Sequence, residues 1–131
     1  MSSHRSLAEP AFPDDDGEAY PALARVLGDD AAVIAVFPDV RVFVPIVAVL
    51  GEQATDGSDK SADMAAVFMT GADGRQALLA FSSVAAMAGW NPTARPVPVW
   101  GRDAAQAAVD EGATALLLDI GSDHFTVIEL E

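Results

Sequence analysis

The predicted fold of this chain is organised around residues 59–81, which read D-K-S-A-D-M-A-A-V-F-M-T-G-A-D-G-R-Q-A-L-L-A-F. Two apolar runs, residues 64–69 and 77–81, flank a turn with two glycines at residues 71–74. This is the pattern of a β-hairpin with a loop of about four or five residues. Because both runs are apolar at odd and even positions alike, we expect the hairpin to lie centrally in a sheet, with helices on at least one side.

Helical periodicity and capping residues occur on both sides of the hairpin. The patterns predict helices over residues 18–27, 30–37, 82–90 and 103–111. The apolar run 33–37 could instead form a strand, although the helix is favoured because Asp29 or Asp30 can cap it and Pro38 ends it.

Strand patterns fill most of the remaining chain. They predict strands over residues 41–50, 115–120 and 124–130, and an edge strand or connector over 95–100. Pro45 has no N–H to donate, so it marks a bulge or an unpaired edge in the first of these strands. We expect a single α+β domain over residues 18–131, with a mixed or antiparallel sheet of about five strands and three to four packed helices.

The charge of the chain limits its partners. There are 20 acidic residues against 7 basic ones, a formal net charge of -13, so a nucleic-acid backbone or an anionic membrane would be repelled. Residues 1–17 contain two prolines and the acidic cluster 14–16, which predicts a mobile acidic tail. With no cysteine, no apolar leader and no membrane-spanning run, we expect a cytoplasmic protein.

No catalytic constellation is evident in the sequence. The two histidines are His4, in the predicted tail, and His124, which has only Asp119 and Asp123 near it in sequence. A calcium-loop spacing and a phosphate-binding glycine pattern are both missing. We therefore expect no enzyme activity, no cofactor and no metal site.

Five segments together carry a resemblance to a known family. They are V-F-V-P-I-V-A-V-L-G (42–51), K-S-A-D-M-A (60–65), T-G-A-D-G-R-Q-A-L-L-A-F-S-S (70–83), G-W-N-P-T-A-R-P-V-P-V (89–99) and E-G-A-T-A-L-L-L-D-I (111–120). Their order resembles the N-terminal domain of SseB-like proteins, in the form found in actinobacteria. The resemblance implies a small α+β domain without an assigned enzymatic activity or cofactor. The chain departs from the family in G-S-D-H at 121–124, where a short proline-containing turn is common.

Basic residues and tryptophans are the candidate interaction residues. Lys60, Arg75 and Arg95 lie at element ends, where they could form local ion pairs or could converge on an acidic partner. Trp90 and Trp100 bracket a proline-rich segment, where they could belong to the edge of the core or anchor a contact surface.

The function we expect is that of a protein-interaction or scaffold module with an unidentified protein partner. One alternative is a small-ligand-binding protein or enzyme with a site near Lys60, Asp63 and Asp119. Another is a homodimer built through proline-marked edge strands or the Trp90 region.

Overall fold

Four helices and seven strands make up the part of the chain that the structure describes. A computed structural model describes residues 12, 14–49 and 63–130. The helices are α1 (Pro21–Ala24), α2 (Asp30–Val36), α3 (Val84–Trp90) and α4 (Gly101–Asp110), with a 3-10 turn (Phe37–Asp39) after α2. The strands are β1 (Arg41–Val49), β2 (Asp63–Ala66), β3 (Phe68–Thr70), β4 (Gln76–Ala80), β5 (Arg95–Trp100), β6 (Ala115–Leu118) and β7 (Thr126–Glu129).

The strands form two sheets. The first has the order β2-β1-β5 and is antiparallel throughout. The second has the order β3-β4-β6-β7, in which β4 and β6 are parallel and the other pairs are antiparallel. The predicted α+β class with a mixed sheet is confirmed, although the strands number seven in two sheets rather than about five in one.

A junction joins the two sheets. Phe43 of β1 exchanges two backbone hydrogen bonds, both 2.8 Å, with Phe81 at the end of β4. Alternate residues of a strand face opposite edges, so Pro45 faces the same edge as Phe43. The residue next in register opposite Pro45 is Val67, and its carbonyl instead accepts from Leu79 N–H at 3.1 Å. Because Pro45 has no N–H, β1 cannot donate a hydrogen bond at this point. The segment that follows β2 therefore stops pairing with β1 and pairs with β4 instead.

β5 is an edge strand whose prolines face outward. Gly101 N–H donates to the carbonyl of Val40 at 2.8 Å, which shows that the odd-numbered residues of β5 face β1. The backbone nitrogens of Pro96 and Pro98, which carry no hydrogen, therefore lie on the outer edge of the sheet. This confirms the sequence prediction of an edge strand and explains the alternate spacing of the prolines.

The hairpin over residues 64–81 is present, but its first strand is not central. β3 pairs with β4 around a turn in which Gly71 N–H donates to the carbonyl of Arg75 at 2.8 Å. β2 and β3, however, form the edges of their sheets, and Met64 and Met69 are 48% and 43% exposed. The expectation of a hairpin covered on both faces was wrong for this half, because an apolar run without alternation also occurs in an open edge strand. β4 itself is interior, and its residues 78–80 are buried.

Two of the four helices, α2 and α3, begin at residues whose side chains cap them. Asp29 Oδ1 accepts from Ala32 N–H at 3.2 Å at the start of α2, and Ser83 Oγ accepts from Ala86 N–H at 3.1 Å at the start of α3. Asp29 is one of the two caps predicted for α2, and the helix was the correct alternative over residues 33–36. α4 begins at Gly101, earlier than predicted.

The core lies mainly on the sheet face that α4 covers. Ala104 and Ala108 of α4 pack there with buried aliphatic side chains from α1, α2 and the strands, including Leu23, Leu78 and Leu116. A smaller apolar cluster on the opposite face has Met87 of α3 against side chains such as Phe81. The alanines of α4 let the helix approach the strands closely.

Residues 14–17, which the sequence assigned to the mobile tail, contact the folded domain. The guanidinium of Arg41, which is only 4% exposed, lies with Nε 2.7 Å from Asp15 Oδ2 and donates from Nη2 to Asp15 Oδ1 at 2.8 Å. It also donates to the carbonyls of Ser82 and Glu18, at 3.1 and 2.6 Å. One buried arginine therefore holds this segment against β1 and the start of α3, and the folded part begins before Glu18.

Candidate functional site

A buried carboxylate lies at the end of β6. Asp119 has no exposed surface and has a φ of 59°, a left-handed conformation that non-glycine residues rarely adopt. Its Oδ1 accepts from Ser82 N–H at 2.7 Å, and its Oδ2 accepts from Ser82 Oγ at 2.6 Å. His124 Nε2 lies 2.7 Å from the same Oδ2, and its side chain is 33% exposed. This cluster joins the start of α3 to the turn between β6 and β7.

The cluster has the residue types of a hydrolytic triad in a different order. In a nucleophile relay the imidazole lies between the hydroxyl and the carboxylate, so that it can take the hydroxyl proton. Here the carboxylate of Asp119 lies between Ser82 and His124, and the hydroxyl of Ser82 donates to the carboxylate. Three hydrogen bonds satisfy a buried charge, so the geometry indicates a structural tie.

A second feature is an apolar groove of about 650 Å³ between α4 and the strands, here called the α4 groove. Its floor consists of aliphatic and aromatic side chains from five strands, and alanines of α4 form its wall. The apolar residues that line it are Val44, Ile46, Ala65, Ala66, Phe68, Leu78, Val97, Val99, Ala104 and Ala107. Several of them are only half-buried, so the core face extends beyond the part that α4 covers.

The polar lining of the α4 groove is entirely acidic. Asp103 lies in the first turn of α4, and Asp110 and Glu111 lie at its C-terminal end. All three are exposed, and Gln106 Nε2 donates to Asp110 Oδ1 at 2.9 Å. An apolar floor beneath carboxylates suits a guest that combines apolar and cationic groups. These three residues are called the rim carboxylates below.

The basic residues singled out from the sequence have separate surroundings. Arg75 is exposed, and its side chain donates to Thr114 Oγ1 and to Glu129 Oε1, each at 3.1 Å, rather than to the neighbouring Asp73. Asp73 instead accepts from the backbone N–H of Arg75 at 3.0 Å, a hydrogen bond within the turn. Arg95 is exposed at the start of β5, and Lys60 lies outside the described residues.

The two tryptophans contact different parts of the domain. Trp90 lies 5.5 Å from Phe81 between ring centroids and lines a cavity of about 430 Å³ that Asp119 also borders. Trp100 makes edge contacts with Phe12 and Tyr20 at 5.0 and 5.7 Å. Each side chain is half-buried, so both contribute to packing while part of each ring faces solvent. Their role as partner contacts stays a prediction.

The alternative ligand site is spread over two sheets. Asp63 begins β2, opposite Val49, and Asp119 follows β6 in the other sheet. Sequence reasoning missed the α4 groove because its lining comes from six elements that are distant along the chain. It also missed Arg41 and Ser82, whose partners are 26 and 37 residues away. The one available signal was the charge of Arg41 within an otherwise apolar strand.

Two further observations concern metals and membranes. Among residues 12, 14–49 and 63–130, no group of three or more histidine, aspartate or glutamate side chains is placed to hold a metal ion. Within the same residues, no helix has the length and apolar character needed to cross a bilayer.

The comparison with protein families identifies a family that covers most of the chain. The family model described as SseB protein N-terminal domain matches residues 14–131. No curated protein and no solved structure matches the chain. The match begins at residue 14, beside the Asp15 that Arg41 holds in place.

Proposed function

This chain belongs to the family described as SseB protein N-terminal domain, and we propose that it is a non-catalytic protein-interaction module. Its partner presents a segment that carries both apolar and basic side chains. The observation that carries this proposal is the α4 groove, an apolar concavity of about 650 Å³ bordered by three carboxylates.

Apolar burial supplies the attraction in this proposal. Burial of apolar surface contributes roughly 25 cal/mol per Å², and a half-buried groove floor gains it when a partner covers the floor. Ile46, Phe68 and Val97 are half-buried groove residues on three different strands. A partner side chain inserted among them would complete a core that α4 leaves open at this end.

Charge determines which partner is accepted. The rim carboxylates and the net charge of -13 repel acidic segments and attract lysine or arginine. This differs from the sequence-based hypothesis that Lys60, Arg75 and Arg95 bind an acidic partner. Arg75 already donates to Glu129, so an acidic ligand would have to compete with that contact.

The geometry at Asp119 supports the non-catalytic part of the proposal. Ser82 Oγ donates to Asp119, and the imidazole of His124 contacts the carboxylate rather than the hydroxyl. The imidazole is therefore not placed to take the proton of the Ser82 hydroxyl, and Ser82 is buried.

A peptide-display selection tests the proposed function. We expect the selected peptides to combine lysine or arginine with valine, leucine or isoleucine. The variant Asp103→Asn/Asp110→Asn/Glu111→Gln should weaken their binding at least about tenfold, equivalent to ~1.4 kcal/mol. Ala107→Trp, which places a large side chain from α4 in the groove, should do the same.

The matched control changes the net charge equally at carboxylates that do not line the groove. Asp14→Asn/Glu18→Gln/Asp123→Asn also removes three exposed negative charges. Binding should stay within about twofold of wild type, because screening at physiological salt limits distant charges to a range of about 8 Å. Selected peptides that are acidic, or that bind all variants equally, would refute the proposal.

The alternative of a small ligand is also best placed in the α4 groove. Its volume lies within the range of roughly 300–1,000 Å³ that small-molecule sites occupy. The chemistry of the lining favours an apolar amine. A thermal-shift comparison of dodecylamine with dodecanoic acid would support this alternative if the amine alone stabilised the protein and Ala107→Trp abolished the effect.

A further inference from the structure

We propose that the partner segment binds as an added strand on the outer edge of β2 and β3. This inference rests on the proposed function and specifies how the segment binds. It follows from the direction of the backbone groups of residues 63–70, from the contrast with the other sheet edges, and from the position of this edge beside the α4 groove.

The odd-numbered residues of β2 and β3 all face the same way. Ala65 faces β1 opposite Val47, Val67 accepts from Leu79 N–H, and Gly71 N–H donates to the carbonyl of Arg75. Residues 63–71 therefore form one long bent strand with a single paired edge, which β1 occupies first and β4 afterwards.

The even-numbered residues face the opposite edge. Their N–H and C=O groups point away from β1 and β4, and no strand among the described residues pairs with them. These residues are Met64, Ala66, Phe68 and Thr70. Four residues with one donor and one acceptor each offer eight backbone groups to an incoming strand.

Other sheet edges of this domain are protected. On β5 the outward positions include Pro96 and Pro98, which have no N–H to donate. β7 has only four residues, and Leu130 N–H donates to the carbonyl of Thr114 at 2.9 Å, so its odd-numbered residues face outward and one of them is the charged Glu129. Prolines, charged residues and short strands are common ways in which proteins prevent sheet extension at an edge.

The β2–β3 edge lacks the prolines and the charge that protect those edges. From Met64 to Thr70 the chain reads M-A-A-V-F-M-T, with no charge and no proline. Met64 and Met69 are 48% and 43% exposed. An exposed apolar edge without a charged or proline residue favours pairing with another strand.

The position of the edge defines the chemistry of the partner. Ala66 and Phe68 have outward-facing backbone groups, and their side chains line the α4 groove. A strand added beside them would direct every second side chain toward the groove face. The structure therefore favours an extended segment with apolar residues at alternate positions and lysine or arginine able to reach the rim carboxylates. A second copy of this chain fits poorly, because its net charge is -13.

The probe for this proposal is a synthetic peptide of about nine residues, K-T-V-T-V-T-V-T-K, whose valines and lysines all lie on one face of an extended strand. Two N-methylated isomers of this peptide separate strand addition from other modes of binding. One is methylated on the backbone nitrogens of the central valines, and the other on those of the residues between them. In an added strand, only one of these two sets of backbone N–H groups can face β2–β3. We expect one isomer to bind at least tenfold more weakly than the parent peptide and the other to bind within about twofold.

Hydrogen exchange and one protein variant locate the binding site. The amides of the four outward-facing residues should exchange at least about tenfold more slowly with bound peptide, since each would then donate a hydrogen bond. Ala66→Pro removes an outward N–H without removing a bond to β1, and it should weaken binding about tenfold. Ala66→Ser keeps the N–H and serves as its control. Circular dichroism establishes that both variants fold.

The outcomes separate this inference from the proposed function. Equal binding of the two N-methylated isomers, or unchanged exchange at the four amides, would overturn strand addition. If peptide binding is nevertheless lost in Ala107→Trp, the groove still binds its partner and only the binding mode is wrong. Failure of the peptide to bind at all would also overturn the inference, whereas the proposed function is decided by the display selection.

Discussion

Asp119 is held in an unfavourable backbone conformation by the hydrogen bonds of its side chain. A left-handed φ costs an L residue roughly 1–2 kcal/mol, and a buried carboxylate is tolerated only when it is hydrogen-bonded. Ser82 and His124 provide three contacts to the carboxylate within 2.7 Å. The turn between β6 and β7 therefore keeps its shape because a side chain 37 residues away satisfies its aspartate.

Replacement of Asp119 tests this interpretation. Asp119→Ala would leave the N–H and hydroxyl of Ser82 buried without an acceptor, so the free energy of unfolding should fall by about 3 kcal/mol. Asp119→Asn keeps one acceptor and a side chain that tolerates the left-handed region, so its loss should be about half as large. Urea denaturation gives both values. A loss below about 0.5 kcal/mol for the alanine variant would contradict the structural role.

Arg41 provides a second test at the residue scale. Arg41→Met would leave Asp15 and two backbone carbonyls without their donors, so the free energy of unfolding should decrease by about 3 kcal/mol. Arg102 is a matched control, because its ion pair with Asp39 is exposed and Arg102→Met should change stability by less than about 1 kcal/mol. Equal effects of the two substitutions in urea denaturation would show that burial of Arg41 contributes nothing.

At the scale of elements, the sequence predicted four helices and most strands, although the first helix was expected over residues 18–27 and spans only Pro21–Ala24. Capping by Asp29 and Ser83 and the outward prolines of β5 are local signals, and the structure confirmed them. The open edge at β2 was not predictable, because apolar periodicity cannot separate a covered strand from an exposed one. The site was harder still, since the α4 groove and the Asp119 cluster depend on contacts between distant segments.

Two glycines in helices should respond oppositely to alanine. A Cβ on Gly101 would lie 1.8 Å from the backbone oxygen of Phe37, so α4 could not start where it does. Gly101→Ala should lower the unfolding free energy by about 3 kcal/mol or more. A Cβ on Gly89 meets nothing within 4 Å, so Gly89→Ala should raise it by roughly 0.5–1 kcal/mol through helix propensity. Thermal denaturation shows both changes, and a stable Gly101→Ala protein would contradict the close contact.

At the scale of the whole molecule, the Phe43–Phe81 bridge should make the two sheets unfold together. Trp100 belongs to β5, and Trp90 contacts Phe81, so each tryptophan reports on a different side of the bridge. Trp90→Phe and Trp100→Phe leave one reporter each. In each variant the urea midpoint from fluorescence should match the midpoint from far-ultraviolet circular dichroism. Two separated midpoints would show that the sheets are independent units.

The open edge of β2 and β3 also affects how the protein behaves at high concentration. Two copies that met edge to edge would gain backbone hydrogen bonds, and only the repulsion of a charge of -13 opposes their approach. That repulsion extends over about 8 Å in physiological salt but only about 3 Å at 1 M. Concentrated stocks should therefore stay clear in dilute buffer and become turbid as salt is added, the reverse of ordinary salting-in.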